Sequence, residues 1–512
     1  MGSIGRKVKE ELYQQKDSKK VEGMAMESPF KLRYLTLPQL ESHLWKAADI
    51  LRGSVNATDY KRYILPLLFL KRISDRWDEE KEKGQPHQFQ VPKEAHWKSI
   101  ANCKDDLGEA INRSLTALED ANPTLQGILA RTNFADHHRL PPTTLRRLVD
   151  HFSTISLRDE DLITPDLLGR SYEYLLKQFA KHKGRKGGEF YTPREVVRLM
   201  VSLLDPKEGM SICDPTCGTG GMLLECALYV KQNGEDPQKL VLHGQEKNPD
   251  TWAMCKMNML LHGLNHASIE LGDTIREPKL VENGKLITYD IVIANPPFSL
   301  KEWGDDFATR DPFGRFRYGI PPKSFGDLAF IQHMIAILKP TGKMAVVVPH
   351  GVLFRGNSEA EIRKGIIEDD LLEAVIGLPD KLFYNTGIPT AILVINKAKP
   401  KGRKGKVLFI DASKDFEAKR NQNVLREKDI EKIVQAFKYF KNQEGYTKVV
   451  SLSEIRRNGY NLNISRYMIP AGGDDSVDLS ALWEELQALE SERAELFKSL
   501  EKVMQVLTER RV

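Results

Sequence analysis

Asp214-Pro215-Thr216-Cys217-Gly218-Thr219-Gly220-Gly221 follows an apolar run, Met210 to Cys213, and opens a helical pattern that begins near Met222. The order is strand, glycine-rich turn, helix. Glycine lets the backbone approach a ligand with no Cβ in the way and permits positive φ, and Asp214 at the strand end can accept hydrogen bonds. The lysine and hydroxyl residue of GxxxxGK[ST] are absent, so the turn is not a phosphate loop.

Around this turn, from about residue 165, helical patterns alternate with short, nearly continuous apolar runs, which is how a parallel sheet covered on both faces reads. The expected strands are Met210 to Cys213, Leu240 to Gln245, Ser268 to Leu271, Asp290 to Ala294, Lys343 to Val348, Leu372 to Gly377 and Ala391 to Asn396. The fold class is α/β, a doubly wound Rossmann-like sheet whose ligands sit beyond the carboxyl ends of the strands. Upstream, Leu40, Leu44, Ala47, Ala48 and Leu51 form one helical face and Tyr63, Ile64, Leu67, Leu68, Leu70 and Ile73 another. They predict an all-helical N-terminal domain. Downstream of Asp411 the chain reads as helical and charged. Leu479, Leu482, Leu486, Leu489, Leu496, Leu500, Val503 and Leu507 keep alternating three and four spacing, the seam of one long amphipathic helix that packs on its own chain or on a partner's helix. The expected divisions are a mobile segment over 1–35, a helical domain over 36–160, the sheet domain over 161–412, a helical or irregular connection over 413–478 and the amphipathic helix over 479–512.

A glycine-rich turn alone serves a dinucleotide, S-adenosylmethionine or nothing but a tight bend. The next acids favour a site. Glu246 ends the second expected strand, as a carboxylate accepting both ribose hydroxyls would, and Asp273 follows the third, where an acid can take an adenine amine. Either acid by itself is equally a helix cap or a surface acid. Gly188-Glu189-Phe190-Tyr191-Thr192-Pro193-Arg194 precedes another helix. Thr192 suits the N-cap with Pro193 at N1 and Glu195 at N3, but capping leaves Phe190-Tyr191 unexplained. Adjacent aromatics before a helix N-terminus suit a sulfonium, held by cation-π attraction, and its carboxylate, held by backbone N–H groups.

The strand Ile291-Val292-Ile293-Ala294 runs into Asn295-Pro296-Pro297-Phe298. Two prolines stop the ladder and fix the backbone, so the Asn295 side-chain oxygen and the Pro296 carbonyl become two rigid acceptors. An aryl amine is a poor nucleophile because its lone pair is delocalised. Accepting both its hydrogens favours a pyramidal nitrogen, while Phe298 stacks on the base. An adenine in a duplex must be rotated out to reach such a pocket. Residues 299–325, with Trp303, Phe307, Arg310, Phe313, Arg315, Phe316, Arg317, Tyr318 and Lys323, read as a mobile covering for DNA backbone or a flipped base.

Composition restricts the setting. Hydrophobic residues at 41% and charged residues at 29% suit a soluble globular chain of 512 residues, and a net charge of +5 is too small to argue for a polyanionic partner. Two basic clusters, Lys181-His182-Lys183 with Arg185 and Lys186, and Lys397 to Lys406, are candidate phosphate contacts or solvated loops. Five cysteines without a CxxC pair favour reduced thiols, a cytoplasmic setting and no metal site. No apolar stretch reaches membrane-spanning length.

These motifs in this order resemble the modification subunit of type I restriction-modification systems, a family of adenine-specific DNA methyltransferases. The resemblance extends to Pro321-Pro322-Lys323-Ser324, Pro349-His350-Gly351-Val352-Leu353-Phe354 and Tyr460 to Tyr467. It implies that Glu189, Phe190, Tyr191, Thr192, Pro193, Arg194, Thr219, Gly220, Gly221 and Glu246 contact S-adenosylmethionine, with Asp214, Gly218 and Asp273 in support. Asn295, Pro296, Pro297 and Phe298 would hold the adenine. Implied partners are double-stranded DNA, a second copy of the chain, a specificity subunit docked on the C-terminal helix and a restriction subunit. Consistent with that, no block of about 100 residues remains for reading a multi-base sequence. Rival readings are a methyltransferase for protein glutamine or for RNA with the same NPPF chemistry, and a scaffold that kept the fold without turnover.

Overall fold

The computed structural model describes residues 34–164, 166–182, 192–383, 387–420 and 422–468, together with 483, 484, 486–493, 496 and 497. Glu189, Phe190, Tyr191 and most of the expected C-terminal helix lie outside these residues.

Among the described residues six helices come first: α1 (Leu37–Leu51), α2 (Tyr60–Glu82), α3 (Trp97–Ala101), α4 (Leu107–Ala121), α5 (Pro142–Ser153) and α6 (Leu167–His182). The two expected apolar faces meet, so Leu40, Leu44, Leu51, Ile64, Leu67 and Leu68 share one core with Leu115, Leu148 and Phe152. Asp106 caps α4 by accepting from the Glu109 N–H at 3.2 Å. Helix α6 belongs to this layer, with Leu168, Tyr172 and Leu175 in its core, although its sequence falls within the expected sheet domain.

The sheet region runs α7 (Arg194–Leu204), β1 (Ser211–Asp214), α8 (Gly221–Gln232), β2 (Val241–Glu246), α9 (Pro249–Leu261), β3 (Ser268–Leu271), β4 (Tyr289–Ala294), α10 (Asp305–Ala308) and α11 (Asp327–Ala336). It continues with β5 (Leu338–Pro349), α12 (Ser358–Glu368), β6 (Leu372–Gly377), β7 (Thr390–Asn396), β8 (Lys406–Asp411), α13 (Glu427–Tyr439) and β9 (Thr447–Ser451). The nine strands lie in the order β9-β8-β6-β7-β5-β4-β1-β2-β3. Pairing is parallel from β3 through β2, β1 and β4 to β5 and again between β6 and β8, whereas β7 runs antiparallel to both β5 and β6. All seven expected strands are present, and this is the doubly wound layout with one strand reversed. Read from the β3 edge, the order is 3-2-1-4-5-7-6-8-9 with the seventh strand inverted.

Two expectations need correction. The stretch 413–478 is not merely a connection, since its Thr447–Ser451 pairs antiparallel with β8 and extends the sheet. Residues 299–325 are anchored at Trp303 and Arg315 rather than a loose covering throughout, while Arg310, Arg317 and Lys323 remain exposed. Trp303 and Arg315 are each only 2% exposed, and Trp303 packs with Ile275, Ala308, Ala329 and Phe330 in a small core. Helix α9 carries residues of two cores: Ala253, Met254 and Met257 in the helical layer, Cys255 and Met259 under the sheet. No described helix is long and apolar enough to cross a membrane.

Candidate functional site

Strand β1 ends at the glycine turn, and neighbouring elements fix each of its residues. Cys217 N–H donates to the Gln245 carbonyl at 3.0 Å, Gly220 N–H to the Cys217 carbonyl at 2.8 Å, and the Asn258 side chain to the Thr219 carbonyl at 3.0 Å. Gly218 and Gly220 take φ of 54° and 82°, and a Cβ on Gly220 would lie 2.7 Å from both Cys255 Sγ and Met259 Cε. Gly220 is therefore required twice, by its conformation and by α9 beneath it. A Cβ on Gly221 would meet nothing within 4 Å, because that face of the turn opens onto a cavity.

The cavity has about 550 Å³ of empty space and opens to solvent. Asp214, Thr216, Gly218, Thr219 and Gly221 line one wall, and Thr192, Arg194 and Asn295 line another. Three motifs 100 residues or more apart at their extremes thus share one space. Asn295 Nδ2 donates to Thr192 Oγ1 at 3.0 Å, which fixes the amide plane. Its Oδ1 is buried and, among the described residues, has no hydrogen-bond partner; the same holds for Thr216 Oγ1. Buried polar atoms normally find partners, so an orphaned acceptor on a cavity wall marks a place where a ligand donates.

This contact also corrects the capping expectation. Helix α7 starts at Arg194 with Pro193 in the cap position, and no side chain caps it. The Thr192 hydroxyl is instead the acceptor that holds Asn295.

Asp214 is 2% exposed. Burial pushes its carboxyl up to about 8, against the stabilising Thr216 N–H at 3.0 Å and with added repulsion from Glu246. Burial raises Glu246 as well, opposed by the N–H groups of Asn248 and Gly218 at 2.7 and 3.0 Å. Glu246 and Asp273 stand at adjacent strand ends as expected, but neither is among the residues lining the cavity. Glu246 clamps the glycine turn. Asp273 accepts from the N–H groups of Ile275 and Arg276, each at 3.0 Å, and from Lys247 Nζ at 2.8 Å. Burial works against its charge, yet these donors hold the carboxyl below its usual range.

Beyond Asn295, Pro296 is buried and the half-buried Phe298 meets Phe383 edge-on at 5.7 Å between ring centres. Ser299 has φ of 50°, and its N–H donates to Asp327 Oδ1 at 2.8 Å. Arg355 joins Asp327 at 2.7 Å and Glu359 at 2.6 Å while lying over Phe325 at 4.2 Å. Sequence reasoning missed this chain of Ser299, Asp327, Arg355 and Glu359, which fixes the exit from the NPPF turn. Its one visible signal was the four-residue spacing of Arg355 and Glu359 beside Pro349 to Phe354.

Arg315, expected over DNA, points inward. It donates to Asp311, to the Thr274 and Ile275 carbonyls at 3.0 and 2.7 Å and lies 3.2 Å from His333 Nδ1. Two members of the second basic cluster are likewise taken up by the protein itself, while Lys401, Lys404 and Lys406 are exposed. Lys399, 4% exposed, donates to Asp370, Leu372 and Lys406, and Arg403 pairs with Glu373 at 3.0 Å, all at the amino ends of the strands, away from the cavity. Of the first cluster, Lys183, Arg185 and Lys186 lie outside the described residues.

A family model described as N-6 DNA Methylase matches residues 163–475, and one described as HsdM N-terminal domain matches residues 40–152. The chain is 35% identical to the type I restriction enzyme MjaVIII methylase subunit of Methanocaldococcus jannaschii over 91% of this chain and 84% of that one. It is 33% identical to the HindI methylase subunit of Haemophilus influenzae over 79% of this chain and 95% of that one. Among solved structures, a type I restriction-modification methyltransferase subunit from Streptococcus thermophilus superposes with a TM-score of 0.76 at 31% identity, covering 84% of this chain and 99% of that one.

Proposed function

Because the chain belongs to the N-6 DNA methylase family, as a methylase subunit of the type I restriction enzymes, we propose that its cavity binds S-adenosylmethionine beside an extruded adenine held by the NPPF turn. Family membership makes the chain an adenine-specific DNA methyltransferase and separates it from protein-glutamine and RNA methyltransferases that share the NPPF chemistry. What remains is which residues do the work.

The observation that carries the reading is Asn295 Oδ1, an orphaned acceptor in the same cavity as an open glycine turn. The donor set suits the cofactor: backbone at Gly218 to Gly221, a buried acid at Asp214, and Glu246 and Asp273 at the next two strand ends. S-adenosylmethionine, when bound, supplies an electrophilic methyl group. Thr192 holds the Asn295 amide so that Oδ1 accepts one amine hydrogen of the adenine, and the Pro296 carbonyl accepts the other. With both hydrogens engaged, the lone pair is drawn out of the ring toward the methyl. Pro297 stiffens the turn, and Phe298, braced by Phe383, offers a face for the base. Thr192 and Arg194, on the cavity wall, serve the methionine side together with Pro193, and the sequence motif assigns Glu189, Phe190 and Tyr191, outside the described residues, to the same part of the cofactor.

The working assembly is two copies of this chain with one specificity subunit, joined by a restriction subunit for cleavage, acting on double-stranded DNA in the cytoplasm. The described part of the C-terminal helix supports a partner-facing role, since Leu486, Leu489 and Leu496 are at least half exposed. The functional divisions are the helical layer, the sheet domain and this docking helix. Labelled cofactor and DNA, incubated with the chain with and without its specificity partner and digested to nucleosides, test the reading. Methyladenine formed only with the partner is expected; label in any other nucleoside sinks it.

A further inference from the structure

Part of the cavity wall takes no part in the chemistry described so far: Glu173 of α6, Val197 of α7 and Glu225 of α8 line it beside Arg194. Glu225 is matched by cations: Arg194 Nε lies 3.4 Å from one of its oxygens and Arg198 Nε 3.8 Å from the other. Glu173 differs. Among the described residues no hydrogen bond or ion pair reaches its carboxylate, while Arg194, Arg170 and Lys177 act on it only through space. Burial holds this carboxyl above its usual range, against the pull of Arg194. A carboxylate on a cavity wall without a bonded cation is a receptor for one, because a charge-assisted hydrogen bond there offsets the cost of its burial.

S-adenosylmethionine carries such a cation, the α-ammonium, on the side of the sulfonium away from the adenosine. Glu246 at the end of β2 is assigned to the adenosine and Asn295 to the methyl; Glu173, on the cavity wall near Arg194 and Glu225, has neither task. We propose that Glu173 accepts the α-ammonium of the cofactor's methionine moiety, so that a helix of the N-terminal layer forms part of the cofactor pocket. This rests on reading the cavity as the S-adenosylmethionine site. Since α6 packs in the helical core through Leu168, Tyr172 and Leu175, the seating of that layer and cofactor affinity become linked.

Calorimetry on the full chain tests it, with S-adenosylhomocysteine and its desamino analogue as ligands and wild type and Glu173→Gln as proteins. Wild type is expected to prefer the amine-bearing ligand about 10- to 100-fold, and Glu173→Gln to lose about that factor for it while binding the desamino compound as wild type does. Unchanged binding of S-adenosylhomocysteine by Glu173→Gln, or equal losses for both ligands, would overturn the proposal. Wild type binding neither ligand would overturn the cofactor reading itself, and this proposal with it. Binding of S-adenosylhomocysteine without coupling to Glu173 removes only the proposal.

Discussion

The two ends of the central sheet are both rich in polar and charged groups, yet they treat them in opposite ways. At the amino ends the charges are consumed internally: Lys399 with Asp370 and two carbonyls, Arg403 with Glu373. At the carboxyl ends of β1 and β4 they are left waiting, with Asn295 Oδ1 and Thr216 Oγ1 orphaned and Asp214 buried beside them. A folded chain tolerates unmet polar groups only at a modest number of places, and each costs about 1–3 kcal/mol. Two of them on the wall of one open cavity mark binding surface where the density of charge alone does not.

The sharpest way to break this contrast is Asn295→Ala. Methyl transfer should fall about 1000-fold or more while S-adenosylmethionine affinity, measured by calorimetry, stays within about twofold. Equal loss of both would mean that the orphaned oxygen is structural. At the other end, Lys399→Met should cost about 2–3 kcal/mol in denaturant unfolding, because Asp370 and two carbonyls lose their donor, with no change in cofactor affinity. An altered affinity would blur the distinction.

Truncation before Asp478 should weaken association with the specificity subunit at least about tenfold on a sizing column or by titration, leaving the melting of the sheet domain in place. An unchanged complex would remove the docking role. A further test concerns Asp214. Its folded-state value of about 8 lies above the ordinary unfolded carboxyl value of about 4, so the folded protein holds an extra proton between them. That contribution is fullest below about pH 4 and is lost as pH rises through about 8. The ligand-free melting temperature of wild type should therefore drop more steeply over this window than that of Asp214→Asn, and parallel profiles would show that Asp214 ionises normally.

Much of this was visible in the residues. The glycine turn, the acids at successive strand ends and the Asn-Pro-Pro stop are local signals, since each depends on neighbours a few positions away. What escaped reading depended on direction or distance. An apolar run such as Thr390–Asn396 looks the same whichever way it lies in a sheet, so the reversal of β7 had no signature. Arg315 among aromatics reads as a phosphate ligand until Thr274 and Ile275, some forty residues earlier, supply the carbonyls that take its guanidinium inside. Thr192 reads as a cap because the competing claim on its hydroxyl comes from Asn295 in another motif. Glu173 looks like one more acid on a helix until the cavity behind it is seen.

Helix α9 sets a limit on how the chain can be dissected. Ala253, Met254 and Met257 on one side of it are sealed by the helical layer, and Tyr172 donates to the Met254 carbonyl at 3.1 Å. A fragment cut at the start of the sheet region would carry that greasy strip into water, one turn away from the cysteine and methionine that prop up Gly220. Anyone seeking a minimal catalytic piece for crystallography or fusion must keep the N-terminal helices or resurface α9 first.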